Sequence, residues 1–196
     1  MQPDTYYHIY NRANGSENLY RSNENYRYFL RQYAKYIEPI ADTYAYCLLP
    51  NHFHFLVKIK SVLELDRWIE NERSSKSSKP LEGLLSLQFG HLFNSYTQAF
   101  NRQHGRKGSL FSPNFKRKEI NSDEYLLKVI HYIHHNPVHH GFVSELSNWP
   151  FSSYNSIILN KPTLVRREEV IALFDNIDNF IYCHSHRPTS TGIDFN

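Results

Sequence analysis

Two histidines separated by one residue lie within an apolar run and could bind a metal ion together. The run, residues 46–57, reads Y-C-L-L-P-N-H-F-H-F-L-V. Successive side chains of a β-strand point to opposite faces, so His52 and His54 share one face while Phe53 and Phe55 take the other. A pair of imidazoles on one rigid strand is therefore the first candidate site of this chain.

The His-x-His spacing carries little weight by itself. The chain has 12 histidines in 196 residues, and a random order would give about 0.7 such pairs. The pair at residues 52 and 54 differs in its setting, because Phe53, Phe55 and Val57 indicate a strand that is buried on at least one side. Polar rings in such a strand need a partner. That partner could be a metal ion or simply backbone carbonyl groups.

The two cysteines, Cys47 and Cys183, form neither a disulfide framework nor a C-x-x-C metal motif. Cys183 stands beside a second His-x-His pair, His184 and His186, which could form a soft-metal site. This segment has no partner pair at zinc-finger spacing. We therefore interpret it as a set of solvated side chains.

The composition is that of a folded protein. Hydrophobic residues make up 40% and aromatic residues 15% of the chain, which argues against disorder. We expect one domain at residues 1–160, followed at residues 161–196 by a C-terminal helix and a flexible tail. Residues 1–5 are polar, and no apolar run approaches the ~18 residues of a membrane helix. We therefore expect a cytoplasmic protein without membrane contact.

The positive charge is concentrated in one segment, although the net charge is only +3. Residues 102–118 contain six basic residues and no acidic one. We predict that the basic residues here and in the loop after the first strand contact nucleic acid: Arg12, Arg102, Arg106, Lys107, Lys116, Arg117 and Lys118. Phe111 and Phe115 stand among them and could stack on bases. A merely solvated basic loop is the alternative.

The apolar periodicity predicts strands interspersed with helices. We predict strands at residues 6–11, 42–48, 52–59 and 115–120, and helices at residues 23–37, 63–72, 84–100, 122–136 and 165–174. Residues 73–80 and 149–154 are predicted loops. Because a short turn joins the second and third strands into a hairpin, we predict an α+β domain, with helices packed on an antiparallel sheet.

The helix predicted at residues 122–136 presents a tyrosine and an amide side by side. Ser122 is the expected N-cap, and Pro137 is expected to end the helix. The buried stripe consists of apolar residues at helical spacing: Leu126, Ile130 and Ile133. Tyr132 and Asn136, four residues apart, lie about 40° from each other at the margin of that stripe.

A tyrosine, an amide and two imidazoles in one pocket could cut and rejoin a phosphodiester. Forming a phenolate at pH 7 from a phenol of pKa near 10 costs ~4 kcal/mol. A cation bound by His52, His54 and the Asn136 amide oxygen could polarise the phosphate and stabilise its developing charge. Covalent capture on Tyr132 would keep the phosphoester energy for a later rejoining step. Because imidazole favours softer ions, Mn²⁺ should bind more tightly than the abundant Mg²⁺.

Four stretches of the chain together resemble one known family. They are residues 46–57, G-S-L-F-S-P-N-F-K-R, D-E-Y-L-L-K-V-I-H-Y-I-H-H-N-P-V-H-H-G-F-V and W-P-F-S-S-Y. In this order, the chain from about residue 6 to residue 154 resembles the single-tyrosine HUH transposases, in the branch associated with repetitive extragenic palindromes (REP). The combination is far more specific than a His-x-His pair alone.

The resemblance implies a fold, an activity and a set of site residues. It implies a ferredoxin-like sheet, the HUH endonuclease fold. It also implies an enzyme, a monomer or a homodimer, that cleaves and rejoins single-stranded hairpin DNA through a 5′-phosphotyrosine and a free 3′-hydroxyl. Tyr132 would be the nucleophile. His52, His54 and Asn136 would be the ligands of a divalent ion, Mg²⁺ or Mn²⁺.

Two features depart from the family pattern. The family commonly has an Arg before the Phe-Lys pair, where this chain has Asn114. Three additional histidines, His135, His139 and His140, follow the tyrosine, and one of them could replace Asn136 as the third ligand.

Three functions are compatible with these residues. Without the resemblance, Tyr132 would be interpreted as a packing residue, one of 15 tyrosines. With it, the first hypothesis is a transposase or a nicking-and-rejoining nuclease. The second is a hairpin-binding module of the same fold that has lost catalysis, and the third is a hydrolase that uses metal-bound water. A covalent DNA adduct that depends on Tyr132 distinguishes them.

Overall fold

The fold is built on a four-stranded antiparallel sheet. The computed structural model describes residues 1–72, 80–159 and 162–186. The strands are β1 (Tyr6–Arg12), β2 (Ala41–Leu49), β3 (His52–Ile59) and β4 (Lys116–Ile120). They lie in the order β2-β3-β1-β4, and each pair of neighbours is antiparallel. This is the ferredoxin-like arrangement, and the predicted α+β class is confirmed.

Seven α-helices lie within the described ranges. They are α1 (Asn23–Ile37), α2 (Val62–Glu72), α3 (Leu81–Gln103), α4 (Asp123–His139), α5 (Tyr154–Ile158), α6 (Arg167–Leu173) and α7 (Ile177–Ser185). Helix α1 has the predicted bounds, because the Ser22 hydroxyl caps it by accepting a hydrogen bond from the Asn25 amide. None of the helices in these ranges is long and apolar enough to span a membrane.

Helices α1 and α3 cover one face of the sheet. The alternation of β1 and β3 turns Ile9, Phe53, Phe55 and Val57 toward these helices, and each of the four is at most 1% exposed. Burying side chains of this size contributes roughly 1.5–3 kcal/mol each. These side chains form the hydrophobic core on this face of β3. His52 and His54 lie on the opposite face of the strand.

Helix α4 packs on that opposite face, against β2 and β3. The predicted stripe of Leu126, Ile130 and Ile133 is buried, at no more than 2% exposed. Ser122 caps the helix by accepting a hydrogen bond from the Tyr125 amide, as predicted. The helix therefore lies across the two histidines of β3.

Helix α4 continues through Pro137 to His139, so the prediction that it ends at Asn136 is wrong. A proline disfavours helical geometry before it but does not forbid it. The helix ends instead before Gly141, which has a φ of 72°. The amides of Gly141 and Phe142 bond back to carbonyls of the last turn at 3.0 and 2.9 Å, in a Schellman motif.

The predicted secondary structure differs most from the observed one in the C-terminal third of the chain. The loop predicted at residues 149–154 is preceded by a short 3-10 turn (Leu146–Asn148) and leads into α5. Helices α5 and α7 were not predicted, because 5 and 9 residues show too little periodicity. The predicted loop at residues 73–79 and the tail from residue 187 lie outside the described residues.

Candidate metal and nucleophile site

His52 and His54 stand side by side on β3, with ring centroids 5.2 Å apart. The Nδ1 atom of His54 lies 3.0 Å from Nε2 of His8 on β1. The Nδ1 atom of His52 lies 2.8 Å from the Oδ1 atom of Asn51, which can only accept, so His52 donates from Nδ1. Because both Nδ1 atoms are engaged, the Nε2 atoms are the ones that can ligate a cation.

Helix α4 places Tyr132 and Asn136 over this pair. The Tyr132 ring packs edge-on against His54, with 5.5 Å between the ring centroids. Asn136 is 1% exposed, and its Nδ2 donates to the Tyr132 carbonyl at 2.9 Å. The geometry thus brings together the four residues that the sequence singled out.

The amide oxygen of Asn136 fits a ligand role. Within the described part of the chain, this buried Oδ1 has no hydrogen-bond partner. A buried acceptor without a partner is rare in folded proteins. An amide oxygen is a suitable ligand for Mg²⁺ or Mn²⁺, so a divalent cation beside His52 and His54 would satisfy it.

Burial keeps the imidazoles of the site uncharged. It lowers the pKa of His52 to about 4, with the nearby His140 acting in the same direction and a contact with the Asn136 side chain opposing both. Burial, with His8 and His52 close by, also holds the pKa of His54 well below its usual value. Burial and Lys118 lower the pKa of His8 to about 3. Neutral imidazole is the form that binds metal ions.

The protein environment does not ionise the phenol of Tyr132. Burial raises its pKa, and the contact with the Asn136 side chain opposes this effect. A phenol with a raised pKa is a weak nucleophile at neutral pH. Activation would therefore have to come from a bound cation or from the substrate complex.

The three additional histidines lie in different places. His140, the cap residue of α4, contacts His52 with ring centroids 4.9 Å apart. His139 is exposed, and Nε2 of His135 bonds to the His184 carbonyl at 3.0 Å, away from the β3 pair. Among the described residues, no three His, Cys, Asp or Glu side chains are arranged to hold an ion together. An amide ligand thus stays the better prediction.

The predicted DNA-contacting residues lie on the edge strand β4, at the end of β1, at the end of α3 and in the loop between α3 and β4. Lys116, Arg117 and Lys118 are exposed on the edge strand β4. Arg12 is exposed at the end of β1, directly opposite His52 in the strand pairing. Arg102 and Lys107 are also exposed.

Arg106 differs from these residues, because its guanidinium is bonded within the protein. Its side chain is 14% exposed and donates to Glu17 at 3.1 Å, to Asn101 at 2.7 Å and to the Ser109 carbonyl at 3.1 Å. Phe111 is only 5% exposed, so the expectation that it stacks on bases is wrong.

Asn114 departs from the family pattern, and its backbone conformation is unusual. Its φ is 58°, in the left-handed region that Asn tolerates better than most residues. The local turn therefore suits an asparagine at this position.

Two residues of the site were missed from the sequence: His8 and Asn51. His8 stands alone in its strand, and its only signal is a polar ring among apolar neighbours. Asn51 immediately precedes His52, but a turn asparagine is too common to be informative. Both act on the Nδ1 atoms of the predicted ligands.

The interpretation of His184 as a solvated side chain is wrong. His184 is 2% exposed and holds α7 against α4. Its Nδ1 donates to the Phe180 carbonyl at 2.8 Å, so its Nε2 must accept from Nδ1 of His134, 2.9 Å away. Nε2 of His134 then accepts from the Ser153 hydroxyl at 2.8 Å. In this buried series of hydrogen bonds, each ring nitrogen of His184 and His134 either donates or accepts one bond.

Comparisons of sequence and of fold with known proteins both find similarity to the same kind of protein. No family model matches the chain. Over 116 residues, 58% of this chain, it is 29% identical to a protein of Haemophilus influenzae described as a REP-associated tyrosine transposase. The chain is similar to REP-associated tyrosine transposases. It spans 59% of the length of this relative.

A solved structure supports the likeness of fold. It shows a REP-associated tyrosine transposase bound to a REP hairpin, and it matches with a TM-score of 0.57 and 19% sequence identity. The match covers 83% of this chain and 84% of that one. The ferredoxin-like fold that the sequence resemblance implies is therefore confirmed.

Proposed function

We propose that this chain is a metal-dependent tyrosine transposase or endonuclease that cleaves and rejoins single-stranded hairpin DNA. The observation that carries the proposal is the Tyr132 ring packed on His54, at 5.5 Å between centroids, beside the Asn136 Oδ1 atom, which has no hydrogen-bond partner among the described residues. The similarity to REP-associated transposases, one of which is bound to a REP hairpin, supports the choice of substrate.

The residues of the site would divide the work between binding and attack. His52 and His54, through Nε2, and Asn136, through Oδ1, would hold a divalent ion, Mg²⁺ or Mn²⁺. When bound, such an ion polarises a phosphate oxygen and stabilises the charge that develops on it. His8 and Asn51 orient the two imidazoles, which keeps the ligands in place before the ion binds.

Tyr132 would attack the phosphorus atom. A new bond forms between the phenol oxygen and phosphorus, the bond from phosphorus to the 3′ oxygen breaks, and the phenolic proton ends on that 3′ oxygen. The products are a 5′-phosphotyrosine and a free 3′-hydroxyl. Because one phosphodiester replaces another, a later 3′-hydroxyl can reverse the step without an external energy source.

The decisive experiment is a covalent-adduct assay. Hairpin DNA with a single-stranded flank is labelled on the part of the strand that lies 3′ of the cleaved phosphate, because that part becomes joined to the tyrosine. It is incubated with Mn²⁺ or Mg²⁺, and the products are separated under denaturing conditions. We expect a labelled protein band in the unmodified chain and in Tyr182→Phe, whose tyrosine is 67% exposed on α7, and none in Tyr132→Phe. Tight binding without any adduct would indicate a binding module. Cleavage that survives Tyr132→Phe would indicate hydrolysis by bound water.

A further inference from the structure

Tyr10 of β1 belongs to the same cluster of rings as the proposed nucleophile and one of the proposed metal ligands. Its ring stacks on His54, with 5.8 Å between centroids and 28° between planes, and on His8 at 4.9 Å. The Tyr132 ring meets the same two imidazoles edge-on, at 5.5 Å from His54 and 6.2 Å from His8. Two phenols therefore border the His54 ring, and the proposed reaction uses only one of them.

The strand register fixes the place of Tyr10 on the sheet. Tyr10 pairs with His54 of β3 and with Lys116 of β4, and directly paired residues of antiparallel strands point to the same face. That face is the one covered by α4, because the neighbouring Ile9 is buried in the core on the other face. A phenol thus stands in one row between a proposed metal ligand and an exposed cation of the edge strand.

The hydroxyl of Tyr10 suits hydrogen-bond donation to a phosphate. The side chain is half-buried, so it is accessible from the solvent that a DNA strand would replace. An ordinary phenol keeps its proton at neutral pH and is a hydrogen-bond donor. Stacking on His8 and His54 holds the ring in place. A donor that is already in position needs no reorganisation when negative charge develops on a substrate.

We propose that Tyr10 is a catalytic residue, whose hydroxyl donates a hydrogen bond to a non-bridging oxygen of the phosphate that Tyr132 attacks. This inference rests on the proposed function for its substrate. Tyr10 keeps its proton throughout and forms no covalent bond. The hydrogen bond strengthens as charge spreads over the equatorial oxygens of the phosphate during the attack. The alternative is a structural role, in which the ring supports His54 and the hydroxyl has no function.

The first test removes the hydroxyl and keeps the ring. In Tyr10→Phe the stack on His8 and His54 is preserved, so Mn²⁺ affinity and the urea midpoint should be unchanged. The single-turnover rate of adduct formation should fall about 100-fold, the lower end of the range for one lost donor to a developing charge. A normal rate in Tyr10→Phe would overturn the proposal. A slower rate accompanied by an equal loss of Mn²⁺ affinity would do the same, because it indicates the structural role.

The matched control is Tyr6→Phe. Tyr6 lies on the same strand as Tyr10 and, by the two-residue alternation, on the same face. It pairs with Lys58 of β3 instead of a histidine, and its ring packs on Tyr44 at 4.9 Å. The same loss of one hydroxyl at this position should leave the rate of adduct formation unchanged.

Sulfur substitution in the DNA locates the contact. Two hairpins are prepared in which one or the other non-bridging oxygen of the attacked phosphate is replaced by sulfur, a weak hydrogen-bond acceptor. Tyr10→Phe should slow the reaction of one isomer much less than that of the other isomer or of the oxygen substrate, because that isomer has already lost the contact. Any sulfur effect at the cation is present in both proteins and cancels in the comparison. An equal slowing of all the substrates would indicate a structural role and overturn the proposal.

The same measurements separate this inference from the proposed function. If the unmodified chain forms no adduct with the oxygen substrate, the strand-transfer chemistry and the role of Tyr10 are both wrong. If the unmodified chain, Tyr6→Phe and Tyr10→Phe all form the adduct at the same rate, only the role of Tyr10 is wrong.

Discussion

Nε2 of His8 lies 3.0 Å from Nδ1 of His54, and both rings are buried. A His54 that ligates through Nε2 carries its proton on Nδ1, so it must donate to His8. His8 thereby selects the tautomer and the orientation of its neighbour. A residue of the first strand thus prepares a ligand of the third.

We expect His8→Ala to weaken Mn²⁺ binding by about 10- to 100-fold, the usual effect of removing such a partner. His8→Gln, which offers an acceptor oxygen, should recover part of the affinity. Isothermal titration calorimetry with Mn²⁺ measures both. His91→Ala, an exposed histidine on α3, is the control. Unchanged affinity in His8→Ala would show that His54 does not need this contact.

Asn136 should be more important for the cation than for stability. Asn136→Ala removes an acceptor that has no hydrogen-bond partner in the described part of the chain, which relieves about 1–3 kcal/mol, and the bond from Nδ2 to the Tyr132 carbonyl, which costs about 0.5–1.5 kcal/mol. The free energy of unfolding without metal, measured in urea, should therefore stay the same or rise, while Mn²⁺ affinity falls. Asn136→Asp, which keeps the oxygen and adds charge, should bind Mn²⁺ more tightly. A marked loss of metal-free stability in Asn136→Ala would indicate a structural role instead.

Acid should destabilise the protein through His184. Burial lowers the pKa of His184 to about 3, while the unfolded chain titrates near 6.5. Between these values the unfolded state binds the extra proton, so stability is full above pH 6.5 and falls as the pH drops. The slope for one such group is up to ~1.4 kcal/mol per pH unit. His131, His134 and His135 from α4 face this ring.

Urea unfolding of His184→Gln at pH 7.5, 6 and 5 tests this expectation. The variant should be less stable than the unmodified chain at pH 7.5 and should lose less stability on acidification. His91→Gln serves as the control. Parallel pH profiles for the unmodified chain and His184→Gln would assign the acid sensitivity to other groups.

The cations of β4 should contribute to DNA affinity through charge alone. Lys116→Ala is expected to reduce the slope of log affinity against log salt for single-stranded DNA by about 0.7, the value for one phosphate contact. Lys35→Ala, on α1, should leave the slope unchanged. Fluorescence anisotropy at several salt concentrations measures this. An unchanged slope in Lys116→Ala would place the DNA elsewhere.

Arg106→Ala should behave differently from Lys116→Ala. Its guanidinium is bonded to Glu17, Asn101 and the Ser109 carbonyl, so its removal should lower the urea midpoint. The salt slope should hardly change. A large change in slope at constant stability would show that Arg106 leaves these partners and contacts the DNA.

Local patterns were enough for the elements that carry the predicted site. Apolar residues at helical spacing predicted the bounds of α1, a Ser cap predicted the start of α4, and two-residue alternation placed His52 and His54 on one face of β3. The local rule that a helix ends before a proline failed at Pro137. Packing of α4 on the sheet outweighs the mild preference against helical geometry at the residue before a proline. Helices α5 and α7 were too short to leave a pattern.

The sequence by itself determined which residue types could do the chemistry and which of them share a face of a strand or a helix, because those relations depend on a few neighbouring residues. Only the tertiary structure decided that His8 reaches His54, that His184 is buried against His134, and that Tyr10 and Tyr132 meet at the His54 ring. These contacts join residues 46, 50 and more than 100 positions apart. Distances of that kind are set by the packing of the sheet and its helices, which no local spacing encodes.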